Sequence, residues 1–206
     1  MKNVEMEYKW DANTPQAFMR AKRALHNLIE VKKPTSLHIS DVYVDHADLR
    51  FAKQRIAFRI RNTDGKWEAT FKTRTEIENG KAVRREETMA LANVLNLQQA
   101  LEQLSARKMW KGLDVKNLVT QFALKNKRTM YEFYFEKTRM EMALDDVTIL
   151  VCGRQLIMKE IELELKQGRV ENFEKFAQLF AEKSKLFPMK MSKVKTAETL
   201  LALWKK

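Results

Sequence analysis

The chain opens on VEMEYKW, in which Glu5, Glu7 and Lys9 alternate with Val4, Met6, Tyr8 and Trp10. Side chains alternate across a β-strand, so a strand here gathers the three charges on one face and leaves the other apolar. Late in the chain KEIELELK repeats the pattern: Glu160, Glu162, Glu164 and Lys166 stand against Ile161, Leu163 and Leu165. Water explains many such faces, because antiparallel sheets often keep one side wet. Two features point instead to a buried ionic site. The signs are sorted: these two strands are acid-rich, whereas QRIAFRIRN puts Arg55, Ala57, Arg59 and Arg61 on one face and WEATFKTRTE aligns Glu68, Thr70, Lys72 and Arg74. Neighbouring glutamates also repel unless a cation compensates them. Carboxylate oxygens are the donors that a hard divalent metal takes, and arginine and lysine are the groups that hold phosphate oxygens.

The elements that must position these faces follow from periodicity. TPQAFMRAKRALHNLIE predicts a helix capped by Thr14 with Pro15 in its first turn, and Phe18, Ala21, Leu25 and Leu28 at helical spacing. HISDVYVDH reads as a second strand. QRIAFRIRN and WEATFKTRTE form a hairpin through TDGK, since Asp-Gly between alternating runs favours a tight turn. KAVRREETMAL is a fifth strand, with Arg84 and Glu86 on one face, and NLQQALEQLSA is a helix. RKMWKGLDVKN is irregular. KRTMYEFYFE, TRMEMALDD, VTILVCG and LIMKEIELELKQG read as further strands, and helices over VENFEKFAQLFAEKS and SKVKTAETLLALW close the chain. No linker, repeat or low-complexity tract divides it, which predicts one α+β domain dominated by antiparallel strands. If the sheet closes on itself, the charged faces line a tunnel and the apolar faces turn outward beneath the helices.

Composition narrows the function classes. Among 206 residues, 39 Lys and Arg against 27 Asp and Glu give a net charge of +12, which favours anionic partners. Lys2, Glu5, Glu7 and Lys9 interrupt any apolar leader, and no stretch approaches the ~20 apolar residues of a membrane span. The expected location is the cytoplasm. The single cysteine, Cys152, excludes an internal disulfide and a cysteine-based zinc site, and its apolar neighbours suggest a core position. His26, His38 and His46 lack ligand spacing. The basic runs KNKR and KSK raise nucleic-acid binding, but a phosphate-backbone surface would not intersperse so many acids.

EMEYK, YVDHADLRFAKQRIAFRIR, WEATFKTRT, VRREE, MALDD, KEIELELK and SKVK together resemble the CYTH domain of the triphosphate tunnel metalloenzymes, in order and spacing over nearly all of the 206 residues. The resemblance implies an eight-stranded antiparallel closed barrel with flanking helices, and a cytosolic enzyme using Mg2+ or Mn2+. It implies metal ligands at Glu5, Glu7, Asp145, Glu162 and Glu164, and phosphate-holding cations at Lys9, Arg59, Arg61, Lys72, Arg84, Arg128 and Lys193. Lys9, Glu160 and Glu162 are the implied catalytic groups, with Asp145 in a turn after Leu144. Arg128, Glu132 and Glu141 match more loosely. The glycines that the family commonly carries after SK and after LDD are missing; Val147 follows the second motif.

The family includes inorganic triphosphatases, thiamine triphosphatases and class IV adenylyl cyclases. The cyclase pattern carries a His-Phe pair before ExExK, and residues 1–4 hold none. The expectation is therefore hydrolysis of inorganic tripolyphosphate to pyrophosphate and phosphate, with thiamine triphosphate, ATP cyclisation and a non-catalytic polyphosphate- or nucleic-acid-binding module as the alternatives. The expected oligomeric state is a monomer or homodimer.

Overall fold

A computed structural model describes residues 3–73, 81–110 and 112–204, apart from the side chains of residues 3, 4, 73 and 82–85. The elements run β1 (Asn3–Asp11), α1 (Ala17–Leu28), β2 (Thr35–Asp45), α2 (Arg50–Lys53), β3 (Ile56–Thr63), β4 (Lys66–Thr73), β5 (Lys81–Leu91), α3 (Leu97–Ala106), β6 (Met109–Trp110), β7 (Leu113–Asp114), β8 (Val119–Phe135), β9 (Thr138–Val151), β10 (Arg154–Gln167), α4 (Val170–Ser184) and α5 (Lys193–Trp204). Eight strands form a closed antiparallel barrel in the order β1-β10-β9-β8-β2-β3-β4-β5, sealed where β5 pairs with β1. The expected α+β architecture is the one observed.

Strand alternation sorts the barrel into two surfaces. On one outer flank Trp10, Tyr131, Phe133, Met140, Met142, Ile161 and Leu163 pack beneath α1 and α4, where Phe173, Phe176 and Phe180 are fully buried. On the other, Phe58, Ile60, Ala69 and Leu91 pack beneath α2 and α3 with the β6–β7 hairpin. The intervening positions point inward. At one end they are apolar: Tyr43, Phe122, Leu124, Val147, Ile149 and Met158 receive Val194, Ala197, Leu200 and Leu201 of α5. On the same strand faces, further along, stand Asp41, Arg128, Asp145 and Glu160. The C-terminal helix thus packs against the inward face of the sheet and brings Lys193, its first residue, to the charged chamber.

Several local expectations change. α1 begins at Ala17, with Gln16 rather than Thr14 at its cap, because the Ala17 amide donates to the Thr14 carbonyl and residues 14–16 form a turn first. TRMEMALDD and VTILVCG fall on one strand, β9, in unbroken register with β8, and with β10 from Met140 to Val151. No turn interrupts it at Asp145: Asp145 points inward to Arg128, Asp146 points outward to Lys159 at 3.3 Å, and each acid finds its own cation. Val147 continues the strand and is buried. Cys152 is exposed, not core. With Gly153 it makes the β9–β10 turn, both with positive φ (49° and 73°), the conformation that two-residue hairpins demand. Asp64 and Gly65 make the expected β3–β4 turn in the same way. Arg74 lies outside the described residues.

Burial sets the expected cost of damage. Phe176→Ala removes a fully buried ring that packs on Phe133 and Phe135, and should cost about 3–5 kcal/mol in urea unfolding. Phe187→Ala, at 81% exposure, should shift stability by less than about 0.5 kcal/mol. Equal losses at the two sites would mean that α4 is not the cover of this core.

Candidate active site

The innermost charges come from four elements. β1 supplies Lys9, β9 supplies Asp145, β10 supplies Glu160 and Glu162, and α5 supplies Lys193. Register explains the convergence: Lys9 lies opposite Glu162 and Asp11 opposite Glu160 across β1–β10, and Glu160 lies opposite Asp145 across β9–β10. Lys193 Nζ donates to Asp145 Oδ2 at 2.6 Å and to Glu162 Oε1 at 3.2 Å, and lies 2.6 Å from Glu160 Oε1. Lys9 Nζ donates to Glu162 Oε1 and lies 3.2 Å from Glu7 and 3.8 Å from Glu160. Arg128 grips Asp145 with both edges of its fork, Nε to Oδ1 at 2.7 Å and Nη2 to Oδ2 at 2.6 Å, and Nη2 also reaches Glu162.

Burial of such a cluster is tolerable only because the charges answer one another. Burial disfavours the charged form of Lys9, yet Glu162, Glu7 and Glu160 more than reverse that and raise its pKa. Lys193 is raised by Asp145, Glu160 and Glu162, again against its burial. Glu162 is held well below the usual carboxylate range; burial opposes, and Lys193, Lys9 and Arg128 prevail. Glu160 differs. Burial pushes it up to about 7, the nearby lysines pull it down, and the charge of Glu162 adds to the rise. Of the two glutamates, Glu160 is the one that keeps a proton affinity near neutrality.

The opposite wall, β2–β5, carries the arginines. Asp41 lies opposite Arg61 across β2–β3, and Arg59 lies opposite Thr70 across β3–β4. Arg61 donates Nε and Nη2 to the two oxygens of Asp41 at 2.6 and 2.7 Å. Arg59 Nη2 donates to Thr70 Oγ1 at 3.3 Å and to Glu86 at 3.5 Å, and lies 3.6 Å from Glu68. Lys72 lies 2.7 Å from Glu86 and 3.7 Å from Glu5. Arg55, aligned with these residues by alternation, instead lies before β3 at φ 58° and is exposed. For Arg84 the backbone pairs with Glu5, and its side chain lies outside the described residues.

The five carboxylates expected to hold metal fall into two groups. Asp145 and Glu162, with Glu160, have oxygen atoms within 4.8 Å of one another, close enough to hold a cation. Lys9, Lys193 and Arg128 already answer them. Glu5, Glu7 and Glu164 lie along β1 and β10, Glu7 opposite Glu164. Each has a lysine near it, Lys72 3.7 Å from Glu5, Lys9 3.2 Å from Glu7 and Lys166 2.9 Å from Glu164; burial nevertheless pushes Glu164 up to about 7, Lys166 opposes, and the charges of Glu5 and Glu141 add to the rise. Hard oxygen donors gathered on two paired strands fit a divalent cation at this second group.

Asp41 escaped the sequence reading. HISDVYVDH reads as a strand, but α2 separates it from the arginine strand, so nothing local states its register with Arg61. The signal present was one acid on an otherwise apolar inward set, Ile39, Asp41 and Tyr43. Glu141 points inward, 3.9 Å from Arg128 and 3.3 Å from Lys166. Glu132 is half exposed and pairs with Arg139 at 3.0 Å. In KNKR, Lys125 and Lys127 face solvent while Asn126 and Arg128 face inward, so the run is no continuous basic surface. His46 is held by the Asp114 carbonyl, and His26 and His38 are exposed.

Fold and site together define a closed barrel with an ion-lined interior and an apolar coat. The CYTH domain model matches residues 3–197, and the chain belongs to that family. An inorganic triphosphatase of Haemophilus influenzae is 27% identical over 160 residues, which is 78% of this chain but 45% of that protein; the chain spans less than half of this relative. A Hippeastrum protein described as a putative adenylyl cyclase with a dominant triphosphatase activity superposes with a TM-score of 0.69 at 18% identity, covering 95% of each chain. A Pyrococcus horikoshii protein gives 0.63 at 21% identity, with 98% and 99% covered. The Mimivirus capping-enzyme triphosphatase gives 0.55 at 14%, with 90% and 91% covered. These likenesses are of fold.

The Asp41 pair makes stability depend on acid. Burial pushes Asp41 up, but Arg59 and Arg61 outweigh it and bring its pKa down to about 2. An unfolded aspartate titrates near 3.9, so between these values the unfolded chain binds more protons. The stabilisation, roughly 2 kcal/mol, is complete above pH ~4 and is lost as pH falls towards ~2. Urea unfolding from pH 5 to 2.5 should show a steeper loss for the wild type than for Asp41→Asn. Parallel curves would mean that Asp41 is not held low.

Proposed function

We propose that this chain is a metal-dependent hydrolase of triphosphates, with inorganic tripolyphosphate as its substrate. The observation that carries the reading is the convergence inside one barrel of Lys9, Arg59, Arg61, Lys72, Arg128 and Lys193, each held by carboxylates. A triphosphate concentrates several negative charges along a short chain. Cations on all sides of a barrel match it better than a one-sided surface does. The triphosphatase descriptions of the Haemophilus and Hippeastrum proteins support the same reading.

Phosphoryl transfer asks the protein chiefly to align its reactants and neutralise charge. Arg61 and Arg128 each commit Nε and Nη2 to an aspartate, which orients the guanidinium and leaves Nη1 donors for phosphate oxygens. Lys9 and Lys193 add point charges at the centre. Glu160 or Glu162 accepts the proton of the attacking water. Glu5, Glu7 and Glu164 would hold Mg2+ or Mn2+, which when bound neutralises phosphate charge and acidifies water. Asp145 and Glu162 would join as ligands once Lys9, Lys193 and Arg128 turn to the substrate. No helix among the described residues is long and apolar enough to cross a membrane.

The test is one panel: tripolyphosphate, thiamine triphosphate and ATP, with EDTA, Mg2+ and Mn2+, scoring phosphate and cyclic AMP. Tripolyphosphate should turn over fastest, EDTA should abolish turnover, and either metal should restore it. Glu5→Gln and Glu7→Gln should cut kcat with the fold intact. Arg59→Ala, Arg61→Ala and Lys72→Ala should each cost roughly 1.5–3 kcal/mol in kcat/KM, and Arg55→Ala less. Full activity in EDTA overturns the metal assignment; cyclic AMP as the main product from ATP overturns the hydrolase; preference for thiamine triphosphate changes the substrate. Metal-dependent binding of tripolyphosphate without phosphate release would leave a binding module.

A further inference from the structure

Asp41 belongs to neither carboxylate group. Both its oxygens are taken by Arg61, and its other sheet neighbour, across β2–β8, is Leu124. It is 5% exposed and sits on a strand interior, so the barrel fixes its place. We propose that Asp41 is a positioning residue, which holds the guanidinium groups of Arg61 and Arg59 in the orientation that receives a phosphate; this rests on the triphosphate reading.

The geometry of the two arginines carries the argument. A bidentate pair through Nε and Nη2 pins the plane of the Arg61 guanidinium and turns its remaining edge, Nη1 with the second Nη2 proton, away from the aspartate. Nη1 of Arg61 has no protein partner among the described residues. Arg59 is held more loosely: its Nε lies 3.9 Å from Asp41 Oδ1, beyond hydrogen-bond reach, and has no hydrogen-bond partner although Arg59 is only 4% exposed. A buried donor left unmade is costly, and an anion entering beside it satisfies it. One carboxylate therefore serves two arginines differently. It clamps Arg61, and it supplies nearby negative charge that keeps Arg59 buried in the wall with its Nε open. Without Asp41 the two buried arginines would repel each other, and Arg59 would keep only the acids that already lie near its Nη2, Glu86 at 3.5 Å and Glu68 at 3.6 Å.

The experiment is a double-mutant cycle. Asp41→Asn, Arg61→Ala and the pair are compared by calorimetric binding of tripolyphosphate in EDTA and by kcat/KM with Mg2+. Circular dichroism and thermal melting establish the fold of each variant. Asp41→Asn should weaken binding about tenfold or more, and the loss in the double variant should fall well short of the product of the two single losses, because the aspartate acts chiefly through that arginine. Asp41→Glu keeps the charge but moves it by one methylene, and should fall between wild type and Asp41→Asn. Losses that multiply in the double variant, or wild-type binding by folded Asp41→Asn, overturn the assignment. If Asp41→Asn does not fold, Asp41→Glu carries the test, and wild-type binding by it overturns the assignment. A wild type that binds tripolyphosphate without hydrolysing it sinks the hydrolase reading alone, since the binding cycle still judges Asp41. A wild type that binds tripolyphosphate neither in EDTA nor with Mg2+ sinks both.

Discussion

A charge inside a closed sheet must be answered by another charge, and this requirement organises the molecule. Most folds place apolar faces inward. Here much of the inward surface is ionic, and the apolar faces are buried outside the barrel, under α1 and α4 on one flank and under α2 and α3 on the other. Isolated ions could not stay in such a chamber. Lys9, Lys193 and Arg128 answer Asp145, Glu160 and Glu162, and Arg59 and Arg61 answer Asp41. The pairs gain no great stability against an apolar core of equal volume. What they provide is an interior that is already polar and ordered before any ligand arrives.

The helices follow from the same requirement. An inverted barrel needs an external core, and the aromatic residues of α4 supply it. It also needs somewhere for the ionic lining to stop, and α5 does this by packing Ala197 and Leu201 against Tyr43, Phe122 and Ile149 on the inward face. Because α5 begins at Lys193, the transition from apolar to ionic interior falls at the start of a helix. The same element closes the hydrophobic layer and delivers a cation to three acids.

Alternation made most of this legible from the sequence. A face such as Glu5-Glu7-Lys9, or Glu160-Glu162-Glu164, declares its composition without any knowledge of neighbours, and sorted signs declare that the faces meet. Pairing across non-adjacent strands was not legible. Asp41 meets Arg61 only because β2 runs beside β3 despite the intervening α2, and nothing local in HISDVYVDH states that register. Asp145 illustrates the converse. Two consecutive aspartates read as a turn, yet a strand tolerates them when one faces Arg128 inside and the other Lys159 outside. Cys152 was misplaced for a related reason: its apolar neighbours belong to the strand, while the residue itself occupies the turn that ends it.

The pairing also constrains how a ligand enters. A phosphate chain that engages Lys9, Lys193 and Arg128 draws them from Asp145, Glu160 and Glu162, and leaves those acids uncompensated in a buried place. A divalent cation bound to the acids alone strands the lysines and arginine in the same way. Entering together, metal and polyanion exchange partners with the protein: the cation takes the carboxylates, the anion takes the lysines and arginines, and each buried charge again has an opposite neighbour. On the proposed reading, the site therefore favours a metal–triphosphate pair over either component alone. The preference comes from the near-balance of charge that lets the barrel fold at all: whatever enters must leave each buried charge with an opposite neighbour.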